Sequence, residues 1–222
     1  MIKDFFKDRI IIKRIAMVLL FFAINFGLWE IIAPIVSGEW ASFIVYVVLL
    51  IVVIVMFRVE LANEWRDFKT LLCSRKKFFL CLLITLVVEL VLSVAVIWIG
   101  TNLCPKIMPV NNENVKNQMA SVPIILTVLQ GCIFAPIIEE TTFRYSIICK
   151  PDSRKVQWIL AVISIIIFDS FHIVTPLEFF YYLAPSVILT LFYLKFRNVF
   201  ASIVLHGMIN VVGYIALIIG AI

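Results

Sequence analysis

Six side chains occur where an apolar helix should not carry them: Glu139, Glu140, Arg144, His172, His206 and Asn210. A charged group at the centre of a membrane helix costs at least about 2.5 kcal/mol, so each needs a reason. Glu140 and Arg144 are four residues apart, share a helical face and can pair. Glu139 points about 100° away from that face and is left to act on something else. His172 and His206 are the chain's two histidines, and both lie in apolar runs. His206 and Asn210 are again four apart on one face, and Gly207 beside them admits a close neighbour. Pro136 removes one backbone hydrogen bond just before the Glu pair, which predicts a kink with a hydratable backbone. Carboxylate, imidazole and carboxamide are the groups that move protons, hold water or ligate a metal. The competing reading makes Glu139–Arg144 a charge cluster closing a span at the membrane surface, and each histidine a structural residue. Two histidines that complement a double Glu, with an Asn one turn from the second, favour a site.

The elements that must position these groups are membrane spans. Of the 222 residues, 64% are hydrophobic and 15% charged, and the mean hydropathy is +1.12. A soluble domain has roughly 25% charged residues. Seven runs are long enough to cross a hydrocarbon core of roughly 30 Å: 13–36, 41–57, 78–100, 121–148, 156–175, 179–195 and 199–220. The fold class is therefore all-α, a polytopic transmembrane bundle of about seven spans. It forms a single membrane-embedded domain over 1–222, with a motif-bearing core at 121–220 and N-terminal spans at 13–100. The basic segment Arg58–Lys77 and the polar segment Thr101–Ala120, which contains Asn111, Asn112, Glu113 and Asn114, are expected to be connections. The first run is too long for a signal-peptide core and reads as an uncleaved span. Five scattered cysteines, Cys73, Cys81, Cys104, Cys132 and Cys149, fit neither a disulfide framework nor a thiolate metal site.

Charge orients the bundle. With the N-terminus in the cytoplasm and spans alternating, the inner segments collect every Lys and Arg except Lys106 and Lys116, Arg144 being counted with the inner loops. That bias is the one cytoplasmic loops show. Trp29, Trp40, Trp98, Phe179, Phe180, Tyr181 and Tyr182 then fall near the outer interface, where amphipathic rings are favoured. The net charge of +5 reflects loops facing anionic lipid and needs no nucleic acid. At 1.5 Å per residue, His206 lies about 10 Å, Asn210 about 16 Å and Glu139 about 13 Å from the inner surface. His172 comes out at roughly 24 Å, which fits only if its helix starts below the membrane or tilts. Glu30 and Glu89 are further intramembrane acids, and the sequence assigns them no function.

Glu139-Glu140-x-x-x-Arg144, Phe168-x-x-x-His172 and His206-x-x-x-Asn210, in that order on separate spans, resemble the CPBP family. This family comprises CAAX prenyl endopeptidases of the Ras-converting type with bacteriocin-processing and self-immunity (Abi) relatives. The resemblance covers about Gln130–Val211; the first three spans add only hydrophobicity to it. It implies an intramembrane endopeptidase of the cell membrane whose cavity opens toward the cytoplasm. Glu139 would be the general base, holding water with His172, while His206 and Asn210 donate to the oxyanion. Arg144 would anchor Glu140 and the substrate's carboxyl end. Alternatively Glu139, His172 and His206 bind zinc; the sequence leaves metal-dependent and metal-free water activation equally open. Asp169 either orients the His172 ring or is a structural contact. Expected partners are a peptide or lipidated-peptide substrate and membrane lipid. The rival readings are a non-catalytic scaffold or immunity protein of the same fold and, ranked last, a proton-coupled transporter.

Overall fold

The computed structural model describes residues 2–73, 75–103, 110–151, 153–173 and 176–220, and among these it contains helices and no strand. Seven helices are long and apolar enough to cross a membrane, so the chain is a multi-pass membrane protein. We label them with one shorter helix in chain order: α1 Ile10–Ile32, α2 Gly38–Cys73, α3 Lys76–Gly100, α4 Val110–Ser121, α5 Ile124–Ile148, α6 Arg154–His172, α7 Phe179–Phe196 and α8 Val199–Ile218.

Each spanning helix buries a stripe and gives the rest to lipid. On α2 the buried residues Ala41, Val45, Leu49, Val53 and Phe57 recur every four positions, which keeps them on one face. Between them Ile51, Ile54 and Val55 are exposed, as a lipid-facing surface requires. The α2 stripe packs with Met17 and Phe21 of α1, Ile138 and Phe143 of α5 and Phe168 of α6. A second cluster joins Phe78 and Leu82 of α3 to Leu189 and Phe192 of α7 and Leu205 of α8.

Two of the expected connections are helical. Residues 58–73 continue α2 without a break; they contain no Gly or Pro and are rich in helix formers. At 36 residues the helix is about 54 Å long and overshoots the bilayer. Its overhang ties together α1, the connection after α5 and the start of α8. Lys13 Nζ is 2.5 Å from Glu60, Lys150 pairs with Glu64, and Asn198 Nδ2 donates to the Glu64 carbonyl at 2.7 Å. The polar segment after α3 forms α4, again without Gly or Pro. Cys104, Lys106 and the side chains of Asn111 and Asn112 lie outside the described residues.

The bundle thus has two distinguishable ends. Around the basic end sit Arg58, Lys69, Lys150, Arg154, Lys155, Lys195 and Arg197, with Lys195 Nζ 3.0 Å from Cys81 Sγ. At the opposite end Trp29 Nε1 donates to the Gly38 carbonyl, and Gln118 of α4 donates to the Glu39 carbonyl. Arg144 belongs to neither end. It is fully buried in the bundle, so it leaves the loop charges that orient the chain.

Candidate active site

Helix α5 carries the double Glu through an irregular backbone. It runs as α-helix over Ile124–Leu129, as π-helix over Gln130–Phe134, as α-helix over Ala135–Glu139 and as π-helix over Glu140–Ile148. The first π turn ends just before Pro136, whose ring has no N–H to give and crowds the carbonyl four residues back. The expected kink is therefore taken up as a π turn, a form often found at functional positions.

Glu140 and Arg144 pair as their spacing predicts, Nη1 to Oε1 at 3.0 Å, both with no exposed side-chain surface. Arg144 Nη2 donates to the Ser186 carbonyl of α7 at 3.3 Å, and the guanidinium lies 4.3 Å over the Phe168 ring. Glu140 Oε1 also accepts from His206 Nδ1 at 2.9 Å. Neither Glu140 nor Arg144 reaches the cavity described below. The expected contact of Arg144 with a substrate carboxyl end has no counterpart in this geometry, where the two side chains hold each other, the Ser186 carbonyl and His206.

Glu139 turns to the other side, where Oε2 is 3.8 Å from Nε2 of His172 and 3.8 Å from Nε2 of His206. Oε1 accepts from the Tyr46 hydroxyl of α2 at 3.2 Å. The remaining partners fix both imidazoles. His172 Nδ1 is 2.8 Å from the Phe168 carbonyl, which can only accept, so Nδ1 carries the hydrogen. His206 Nδ1 faces a carboxylate already paired with Arg144 and donates to it in the same way. In the neutral ring the other nitrogen is then an acceptor. Two imidazole lone pairs and a carboxylate oxygen consequently point at one another. Such a cluster needs a proton donor or a cation among its members. With Nδ1 held by Glu140, His206 can meet the expectation of donating to an oxyanion through Nε2 only as the imidazolium.

The same arrangement bears on zinc. Glu, His and His are zinc donors, and zinc-bound histidines commonly give their second ring N–H to a carboxylate or a carbonyl. Both histidines do so here. No group of three His, Cys, Asp or Glu among the described residues is closed to metal-ligand spacing.

The depth mismatch of His172 is resolved at both ends of α6. The helix starts at Arg154 and stops at His172, short of Thr175. Ser164 Oγ donates to the Phe143 carbonyl at 2.8 Å, so α6 residues are level with α5 residues much nearer its end. From Arg154 to Ser164 is about 15 Å of helix, against about 7.5 Å from Phe143 to Ile148. Helix α6 therefore begins well beyond the end of α5. The His172 ring lies against Phe168, Phe171 and Tyr182, centroids 4.4, 5.3 and 5.3 Å away. Asp169 does not orient it, because Phe168 occupies Nδ1. Asp169 is fully buried and within electrostatic reach of Arg144, a structural position.

Asn210 is one turn from His206 and gives one amide hydrogen to the Gly131 carbonyl at 2.7 Å. The helices α5 and α8 approach closely beside this contact. A Cβ added at Gly207 would lie 2.9 Å from the Cys132 carbonyl oxygen, an atom that cannot swing aside. We expect Gly207→Ala to destabilise the bundle by about 1–3 kcal/mol, as overpacking does. Thermal unfolding in detergent would measure the shift, and an unchanged midpoint would show that the two helices can part without cost.

Glu139, His172, His206 and Asn210 line a cavity of about 790 Å³. Tyr46, Gln130 and Gly131 line it as well, and the sequence reasoning did not single them out as site residues. The first three spans thus give the site more than hydrophobicity. A hydroxyl-bearing ring within the apolar run Phe43–Phe57 of α2 was the available signal. The cavity runs from Glu139 to Glu30, Gly38, Asn114 and Asn117, at the end of the bundle opposite the basic one. The sequence expects both a cytoplasmic N-terminus and a cavity open to the cytoplasm. These exclude each other, because Lys13 and the cavity mouth are at opposite ends.

Helices of this number and composition define an α-helical membrane protein with a buried cluster of carboxylate and imidazole groups inside its bundle. Residues 121–212, which carry all three motifs, match the family described as type II CAAX prenyl endopeptidase Rce1-like, so the resemblance read from the motifs holds over that segment. The chain is also similar to the UPF0177 protein YbdI of Lactococcus lactis subsp. lactis (strain IL1403), 33% identical over 102 residues. That stretch is 46% of this chain and 55% of the relative, so the chain spans about half of the relative's length. No solved structure matches.

Proposed function

We propose that this protein is an intramembrane endopeptidase in which Glu139 activates water for attack on a peptide bond. The observation that carries the reading is the convergence of Glu139 with two imidazoles from separate spans, each held in the tautomer that turns a lone pair toward it. A water placed among them gives its hydrogens to Glu139 Oε2 and one imidazole and directs its oxygen at the substrate carbonyl. Glu139 takes the proton as the carbon–oxygen bond forms and passes it to the leaving amine as the carbon–nitrogen bond breaks. The second amide hydrogen of Asn210 is left for the oxyanion, joined by His206 once it is protonated against Glu140. Were zinc present, Glu139, His172 and His206 would hold it, and it would supply Lewis-acid activation of the same water. Tyr46 fixes the carboxylate through Oε1. Tyr46→Phe is expected to lower turnover by about 2–10-fold, the worth of one net hydrogen bond, with little change in unfolding temperature. Equal turnover for the two proteins would remove Tyr46 from the mechanism.

The loop charge supports an N-terminus in the cytoplasm of a cell-membrane protein. Maturation of a peptide, or self-immunity to a bacteriocin, would be the setting for such an activity. The reading is tested by comparing peptide termini in membranes carrying wild-type or Glu139→Ala protein at matched abundance. Termini found only with the wild type support it and name the substrate. Identical termini, with an intact host phenotype for the variant, would instead make the protein a non-catalytic scaffold of the same fold.

A further inference from the structure

We infer that the substrate is a peptide segment on the extracytoplasmic side, entering the bundle from outside without need of a lipid chain. The inference rests on the peptidase reading and on the charge-based orientation, and it names the side and chemistry of access. Its first support is the position of the mouth. Every span that lines the cavity contributes residues from its non-basic half: Trp29 on α1, Ser42 on α2, His172 at the last residue of α6, Tyr181 at the start of α7 and Leu217 at the end of α8. Arg58, Lys150, Arg154, Lys155, Lys195 and Arg197 stand at the other end. If positive loops mark the cytoplasm, the mouth faces away from it.

The second support is the lining. Asn25, Asn114, Asn117, Gln118, Gln130 and Asn210 present six carboxamides along the way to Glu139. A carboxamide both donates and accepts, which suits an extended peptide backbone, while Phe26, Trp29, Phe171, Ile209 and Leu217 in the same lining offer apolar surface to its side chains. Three of these groups are already ordered, since Gln118 Nε2 donates to Gln130 Oε1 at 2.7 Å and Gln130 Nε2 to Ser42 Oγ at 3.2 Å, with Asn210 held by Gly131. A second hollow, lined almost wholly by apolar side chains, is elsewhere. It lies between α5 and α8 on the surface beside Cys132, Gly207 and Met208, and neither Glu139 nor either histidine lines it. Tyr46 is eight residues into α2 from Gly38, about 12 Å. An extended chain covers that depth in about four residues at roughly 3.3 Å each, so the scissile bond must lie at least that far from any folded part of the substrate.

The side of the mouth is read with Asn117→Cys, an exposed position on α4, in otherwise native protein. Intact cells are treated with a membrane-impermeant maleimide and the modified cysteine is identified by peptide mass spectrometry. Cys73, exposed at the basic end of α2, is the internal reporter. The expected result is modification at position 117 in intact cells and at Cys73 only after permeabilisation. The reverse pattern would overturn the inference. The substrate class is read from the termini that depend on Glu139. Their location in extracytoplasmic, unprenylated segments supports it, and their confinement to cytoplasmic or prenylated segments overturns it while leaving the peptidase standing. If no termini depend on Glu139, the peptidase reading itself fails, and the labelling still decides which way the cavity faces.

Discussion

Glu139→Gln is expected to abolish the processing that the wild type performs, by about 10²–10⁴-fold if Glu139 is the base, while the protein accumulates and unfolds normally. Glutamine keeps the length and shape of the side chain, and its carbonyl oxygen can still accept from Tyr46, which donates to Oε1 in the wild type. What it loses is the second oxygen facing His172 and His206 as a proton acceptor. Its amide nitrogen would instead donate toward their lone pairs and satisfy the cluster that a water must enter. Stability should therefore hold or rise slightly as the chemistry stops. Rates from single-turnover cleavage of the identified peptide, set beside the unfolding temperature in detergent, separate the two effects. Retained cleavage would move the base to His172 or His206 and end the assignment of Glu139.

Arg144→Ala should have the largest effect on stability. The guanidinium is wholly buried and binds Glu140 at 3.0 Å and the Ser186 carbonyl at 3.3 Å. Removing it leaves Glu140 as an uncompensated charge inside a membrane bundle, a change that costs about 3–5 kcal/mol in buried pairs. The damage should also reach the chemistry, because the same Glu140 oxygen holds His206 Nδ1. Arg144→Lys should rescue only in part. A lysine keeps the charge but not the planar fork that spans α5 and α7 while lying over Phe168. The double change Glu140→Gln/Arg144→Met should recover most of the stability, since no buried charge is left unpaired, yet remain inactive because Glu140 no longer fixes His206 as a carboxylate. Unfolding curves of the three variants test this. An Arg144→Ala protein as stable as the wild type would mean that Glu140 takes a proton or finds another partner at little cost.

The helices, their number and the pairing of Glu140 with Arg144 were legible in the sequence because they depend on local quantities. Apolar length sets a span, i to i+4 spacing sets a pair, and the consecutive positions of Glu139 and Glu140 send them to different faces. The motif spacing also named His172, His206 and Asn210 as residues of one site. Where each group ends up required the tertiary structure. His172 meets Glu139 because α6 begins beyond the end of α5, an offset between helices that no count along one helix contains. The tautomers of both histidines follow from a carbonyl one turn back and a carboxylate on another span. Tyr46 and Gln130 enter the site through helix packing, and Arg144 is buried rather than facing the inner surface for the same reason. The end of the bundle toward which the cavity runs was not legible in the depths of Glu139 and His206. Depth says how far a group lies from a surface, but only the packing of all the spans decides which end is left open.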